Sequence, residues 1–237
     1  MEQTFRHGVE HILHITGDYS GFLSDDFFLS KYAMNDLLVQ KRAAFIRRYD
    51  RDAHKFSAGM YQRLPCIELK KLDRQMCPSA PASGCIWLRS VDPIPVPIIT
   101  QSVSDTLGVS KFDYVAWERA ASIGQSRIRS ARTARYYTLL NNGRGEVYLY
   151  IYNDSLLPQV AMSGIFEDPQ HAEVFCSCTG EHTQAKCFPL DVPMYLDPAY
   201  QDEVYKMVMR EMWPYKMQAP EDRTNNDQMA REAVRNG

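Results

Sequence analysis

Two hydrophobic periodicities divide the chain. In residues 4–16, TFRHGVEHILHIT, apolar positions recur at helical spacing, with Thr4 as the cap and Gly17 as the stop. After the loop GDYSGF, Ser24 with Asp25 and Asp26 marks a second helix start. The hydroxyl caps free amides, and the acids suit the positive end of the helix dipole. From there Leu38, Phe45, Tyr49 and Phe56 keep the helical period, and Lys41, Arg42, Arg47, Arg48 and Arg51 place positive charge towards the C-terminal end. The predicted helix runs towards Phe56 and ends at SAG, residues 57–59. At roughly thirty residues it is long beside the usual three or four turns, and it reads as a strut that crosses a domain or reaches a neighbour.

From 61 to 166 the pattern changes to short β-rich runs broken by proline and glycine: CIELKKL, CIWLRS, PVPIITQSV, FDYVAW, RYYTLL, EVYLYIY and QVAMSGIF. The clearest hairpin is RYYTLLNNGRGEVYLYIY, whose NNGRG connection supplies residues that accept the positive φ of a tight turn. In its second arm Val147, Leu149 and Ile151 face one side, and Tyr148, Tyr150 and Tyr152 the other. That tyrosine face suits either cross-strand core packing or contact with another subunit.

After QVAMSGIF, Asp168 followed by Pro169 has the form of an N-cap with proline in the first turn, and Asp197–Pro198 repeats it ahead of AYQDEVYKMVMREMW. In that helix Val204, Val208 and Met212 share a face. From Gln218 to Gly237 the chain has too few apolar groups for a core, so it reads as an arm that orders on a partner. The predicted fold is α+β: a helical N-terminal segment (1–60) with a long helix, a central antiparallel β-rich body (61–196), a C-terminal helix (197–217) and an extended, flexible arm (218–237).

Composition narrows the function. Hydrophobic residues at 45% with 24% charged in a chain of 237 are globular usage, enough for one elaborated domain. MEQTFRHGVE lacks the pattern of a secretory signal, and no apolar stretch approaches a bilayer span, so a soluble protein made in the cytoplasm is expected. Six cysteines are too few for a disulfide-stapled fold and are expected to be free thiols. A net charge of −2 argues against a protein whose main task is coating nucleic acid. Residues 167–237 carry 13 acids against 7 bases, net −6, while 1–166 carry 16 against 20, net +4. Opposite poles would suit head-to-tail packing of identical copies; scattered surface charge gives the same sums.

Few residues carry candidate chemistry. Cys176, Cys178, His182 and Cys187 form C-x-C-x3-H-x4-C, near a zinc-knuckle spacing but not on it, and free thiols in a polar loop are the better reading. His7, His11 and His14 share a face of the first helix, yet H-E-x-x-H is absent, as are the G-x-S-x-G elbow, a phosphate-binding glycine loop and a dinucleotide fingerprint. The reading is therefore no enzyme and no cofactor. Arg127, Arg129, Arg132 and Arg135 form the sharpest basic cluster, suited to a neighbouring copy's acids, to solvent or, less readily, to phosphate. A small zinc-dependent binding module and a single-stranded nucleic-acid binder using these arginines and the tyrosines stand as alternatives.

Several long stretches together carry a likeness: FLSDDFFLSKYAMNDLLVQKRAAFIRRYD, LPCIEL, LRSVDPIPVPI, RYYTLLNNGRGEVYLYIYN, VAMSGIFEDPQHAEVF and CFPLDVPMYLDP. In pattern and order the chain resembles the virion structural proteins that form rings below the portal in short-tailed crAss-like bacteriophages. The resemblance implies a ring protein of the head-to-tail connector, a cyclic homo-oligomer whose dodecamer count follows the portal. Its implied partners are further copies of itself, the portal protein, adjacent tail ring proteins and the packaged DNA, which passes through at ejection without sequence recognition. It implies a place in the virion and no membrane. The arginine cluster and the tyrosine face are the candidate subunit interface; Ser24, Asp168 and Asp197 are candidate helix caps.

Overall fold

A computed structural model describes residues 3–20, 31–51, 55–72, 87–119, 134–152, 157–175 and 189–217. The seven β-rich runs fall on seven strands: β1 (Gln62–Lys71), β2 (Trp87–Ser90), β3 (Pro97–Asp105), β4 (Lys111–Tyr114), β5 (Tyr136–Asn141), β6 (Val147–Tyr152) and β7 (Gln159–Phe166). They close into a barrel in the order β1-β2-β6-β5-β4-β3-β7. Alternation along β6 sets its inside and outside. Leu149 and Ile151 pack inward with Leu64, Ile67, Val160 and Met162, whereas Tyr150 and Tyr152 join Trp87 in a separate outer cluster.

The strand runs predict an antiparallel body; its closure into a barrel is added by the structure. One pairing also departs from it: β4 and β5 run parallel, through Asp113 opposite Tyr136 and Tyr114 opposite Tyr137. β1 begins upstream of the CIELKKL run, at Gln62, and its register with β7 shifts between Leu64 and Ile67. Pro65 lies in that interval, where its missing N–H is tolerated by an irregular ladder. Cys66, expected as a free thiol, is disulfide-bonded, and every other cysteine lies outside the described residues. Spacing in sequence does not reveal which sulfurs a fold brings together.

Helices from both ends of the chain form a layer on the barrel. α1 (Phe5–Ser20), α2 (Lys31–Arg51) and α4 (Pro198–Met217) bury Phe5, Val9 and Ile12, Leu38, Phe45 and Ile46, and Val204, Val208 and Met212 in one cluster. Ile165 of β7 belongs to it, and Ile98 and Ile99 of β3 pack against it. At about 1.5–3 kcal/mol for each fully buried large aliphatic side chain, this seam fixes the layer on the β3–β7 wall. α3 (Pro169–Val174) follows β7 directly.

One helix expectation needs correction: α1 continues through Gly17 to Ser20. α2 is described over 21 residues, and its apolar face lies in the subunit's own core. The second helix's expected cap, Ser24, lies outside the described residues, as does the expected arm from 218 to 237.

Candidate functional site

The acidic stretch after β7 is a structural junction. Asp168 caps α3, its carboxylate accepting from the backbone N–H groups of Gln170 (2.8 Å) and His171 (3.1 Å). Glu167 pairs with Arg47 at 2.7 Å. Gln170 and Asn35 of α2 exchange two buried amide hydrogen bonds, of 2.8 and 3.1 Å. The fully buried guanidinium of Arg42 donates to the carbonyl oxygens of Phe166 and Tyr195, each at 2.9 Å. Burial pushes its pKa down from 12.5 to about 9 and the Asp168 carboxylate opposes that shift, so at neutral pH it is charged and donates. These bonds hold α2, β7 and α3 together and tie α2 to the segment before α4, while the Arg42 Nε is buried without a hydrogen-bond partner. Asp197 likewise accepts from the backbone N–H of Ala199 at 3.0 Å at the start of α4.

The other candidate residues scatter. Cys176, Cys178, His182 and Cys187 lie outside the described residues, as do Arg127, Arg129 and Arg132. Among the described residues no group of His, Cys, Asp and Glu could hold a metal ion. His7 hydrogen-bonds the Thr4 hydroxyl at 2.8 Å, and the His11 ring lies 5.2 Å from that of Tyr205. Arg135 is exposed just before β5, its carbonyl accepting from the Asp113 N–H at 3.0 Å. Tyr150 and Tyr152 are buried within the subunit, close to Trp117 and Trp87 respectively. Tyr148 is half-buried, with the Arg89 guanidinium 4.7 Å from its ring centre.

Some charges of the two parts pair within the subunit. Arg6 pairs with Asp191, Lys41 with Glu211 and Arg47 with Glu167. Each pair joins a base from the positive part of the sequence to an acid from the negative part, within one subunit.

Two features missed by periodicity stand out on the surface. The β3–β4 turn projects Leu107 and Val109, 86% and 80% exposed. Its backbone is tightly held: the Asp105 carboxylate accepts from the N–H groups of Val109 (2.8 Å) and Ser110 (3.0 Å), and the Asp105 carbonyl accepts from the Gly108 N–H (3.0 Å). Gly108 adopts φ +76°, a conformation cheap only for glycine. Desolvation raises the Asp105 pKa, but the hydrogen bonds from Ser110, Val109 and Gly108 outweigh it and hold the carboxyl below 3.8. The signal in the sequence is D-x-x-G, aspartate first and glycine fourth in a turn. The second feature is a cleft of about 180 Å³ in the helical layer, lined by Arg6, Val9, Glu10, Lys31, Tyr32 and Leu190. Tyr32 is 62% exposed there.

No helix among the described residues is long and apolar enough to cross a membrane. Comparison with curated proteins finds no match. The family model for phage tail ring protein 2 of crAss-like phages matches residues 9–233, spanning the helical layer, the barrel and the segments between them. The chain belongs to the phage tail ring protein 2 family.

Proposed function

We propose that this protein is a ring subunit of the portal-to-tail connector, closing with copies of itself around the channel through which DNA leaves the virion. The match to a tail ring family over residues 9–233 carries this reading. A structural role without turnover accords with the junction after β7, where the carboxylates, the amide pair and Arg42 are spent on architecture. Closure of the barrel leaves little free strand edge, which disfavours runaway edge-to-edge pairing and leaves loops and helix surfaces to make the subunit contacts. A net charge of −2 suits a conduit, since strong phosphate binding would retard the DNA it should release.

Identical copies, the portal protein and adjacent ring proteins are the partners of this reading, and twelve is the copy number the portal would impose. Electron microscopy of purified rings, or of the connector in virions, tests it through rotational symmetry. Twelvefold rings of this chain below the portal are expected. A monomer that stays monomeric with portal and tail proteins present would refute the proposal.

A further inference from the structure

The disulfide at Cys66 joins β1 to one of the other five cysteines of the chain, and it does so at an interruption of the barrel wall. β1 and β7 pair in step from Gln62 to Leu64 and again from Ile67, with a shift of register between. Pro65 and Cys66 thus stand against Ala161 alone, the count of a β-bulge. Pro65 brings no backbone N–H, and β2 joins β1 in register only from Leu69. We propose that this disulfide is a redox-sensitive staple, open in a thiol-rich compartment and closed in an oxidising one, which holds β1 where its ladder is interrupted. The inference concerns the subunit's own barrel and is independent of the ring reading.

Three observations support a staple that opens and closes in the folded chain. Access comes first: Cys66 is half-buried, whereas Leu64 and Ile67 on either side of the interruption are 0% and 1% exposed, so a small thiol meets this position without unfolding the wall. Second, the barrel closes by strand pairing around the apolar side chains of Leu64, Ile67, Leu149, Ile151, Val160 and Met162, so an open staple leaves a folded barrel. The closed one adds stability by restricting the unfolded chain. Third, a phage tail protein is synthesised inside a host, where small thiols keep cysteines reduced, and serves in a virion outside it. The chemistry is thiol–disulfide exchange with a small disulfide, RSSR. One protein thiolate attacks RSSR, and the second then attacks the resulting mixed disulfide. Each step releases RS⁻, which takes up the proton that the attacking thiol lost. Two protein thiols and one RSSR become one protein disulfide and two RSH, with two electrons passing to the small disulfide, and excess RSH reverses the exchange.

The test uses the full chain equilibrated with oxidised or reduced glutathione and then alkylated. Peptide mapping of the oxidised sample should find Cys66 joined to another cysteine, and of the reduced sample should find it alkylated, with circular dichroism showing both samples folded. Reduction should lower the melting temperature by about 5–15 °C. It should also quicken amide hydrogen exchange in β1 and β7 before the helical layer. Cys66→Ser should melt with the reduced chain and be indifferent to glutathione. Alkylation of Cys66 in the oxidised sample, a bond that opens only after denaturation, a chain that unfolds on reduction, or equal melting temperatures in the two samples would each overturn the staple. All of these are measured on the subunit, so they leave the ring reading to its own test by rotational symmetry.

Discussion

At the residue scale, single positions near the barrel wall carry distinct, separable roles. Asp168 accepts two backbone hydrogen bonds at the start of α3. Asp168→Ala should therefore cost about 1 kcal/mol, the usual worth of a cap, while Asp168→Ser, which can still accept, should be nearly neutral. Thermal melts of both variants decide this, and equal losses would mean that the carboxylate acts chiefly through its charge beside Arg42. Gly164 marks a different constraint. A Cβ there would lie 2.5 Å from the Ile99 carbonyl oxygen, a backbone atom of the neighbouring strand that cannot swing away. Gly164→Ala is expected to destabilise by about 1–3 kcal/mol, as overpacking does. Gly59, where a Cβ would meet nothing within 4 Å, is the control. Gly59→Ala should be neutral or stabilise by up to about 1 kcal/mol through the unfolded chain. Denaturant midpoints of the pair should move apart.

At the element scale, the strands were legible because each carries its own period or its own β-branched and aromatic run, and α4 because Val204, Val208 and Met212 repeat on one face. What depends on distant segments was not. Arg42 is one of five basic residues in the second half of α2 and reads as part of a charged C-terminal half, yet its partners are carbonyls 124 and 153 residues away. The parallel β4–β5 pair and the barrel's closure are relations between elements, which no single run encodes. The α2–α4 contact has a measurable signature. Tyr49 and Tyr200 share a hydroxyl hydrogen bond, with ring centres 4.7 Å apart. That bond, with desolvation, pushes the Tyr49 pKa from 10.0 to about 12. The unfolded phenol loses its proton first, so between pH 10 and about 12 the folded chain holds more protons, and this contribution, complete below pH 10, is lost as pH rises. Tyr49→Phe should flatten the fall in stability across that window, measured by denaturant titration at successive pH values. An unchanged slope would show that the phenol does not differ between folded and unfolded chains.

At the scale of the whole molecule, the charge distribution and the apolar surface make opposite forecasts about assembly. If copies met through the +4 and −6 parts of the sequence, rings would loosen steeply with salt, because screening shortens from about 10 Å at 0.1 M to about 3 Å at 1 M. Among the described residues, Arg6–Asp191, Lys41–Glu211 and Arg47–Glu167 already pair some of these charges inside each subunit. A contact through exposed apolar groups such as Leu107, Val109 and Tyr114 would behave differently, because burial of such groups is insensitive to screening and strengthened by excluded salts such as sulfate. Ring formation followed by light scattering should therefore hold nearly constant as sodium chloride rises across that range, and should strengthen in sodium sulfate of equal ionic strength. Dissociation in both salts would return the subunit contact to charged groups, and with it the arginines before β5 would regain first claim on the interface.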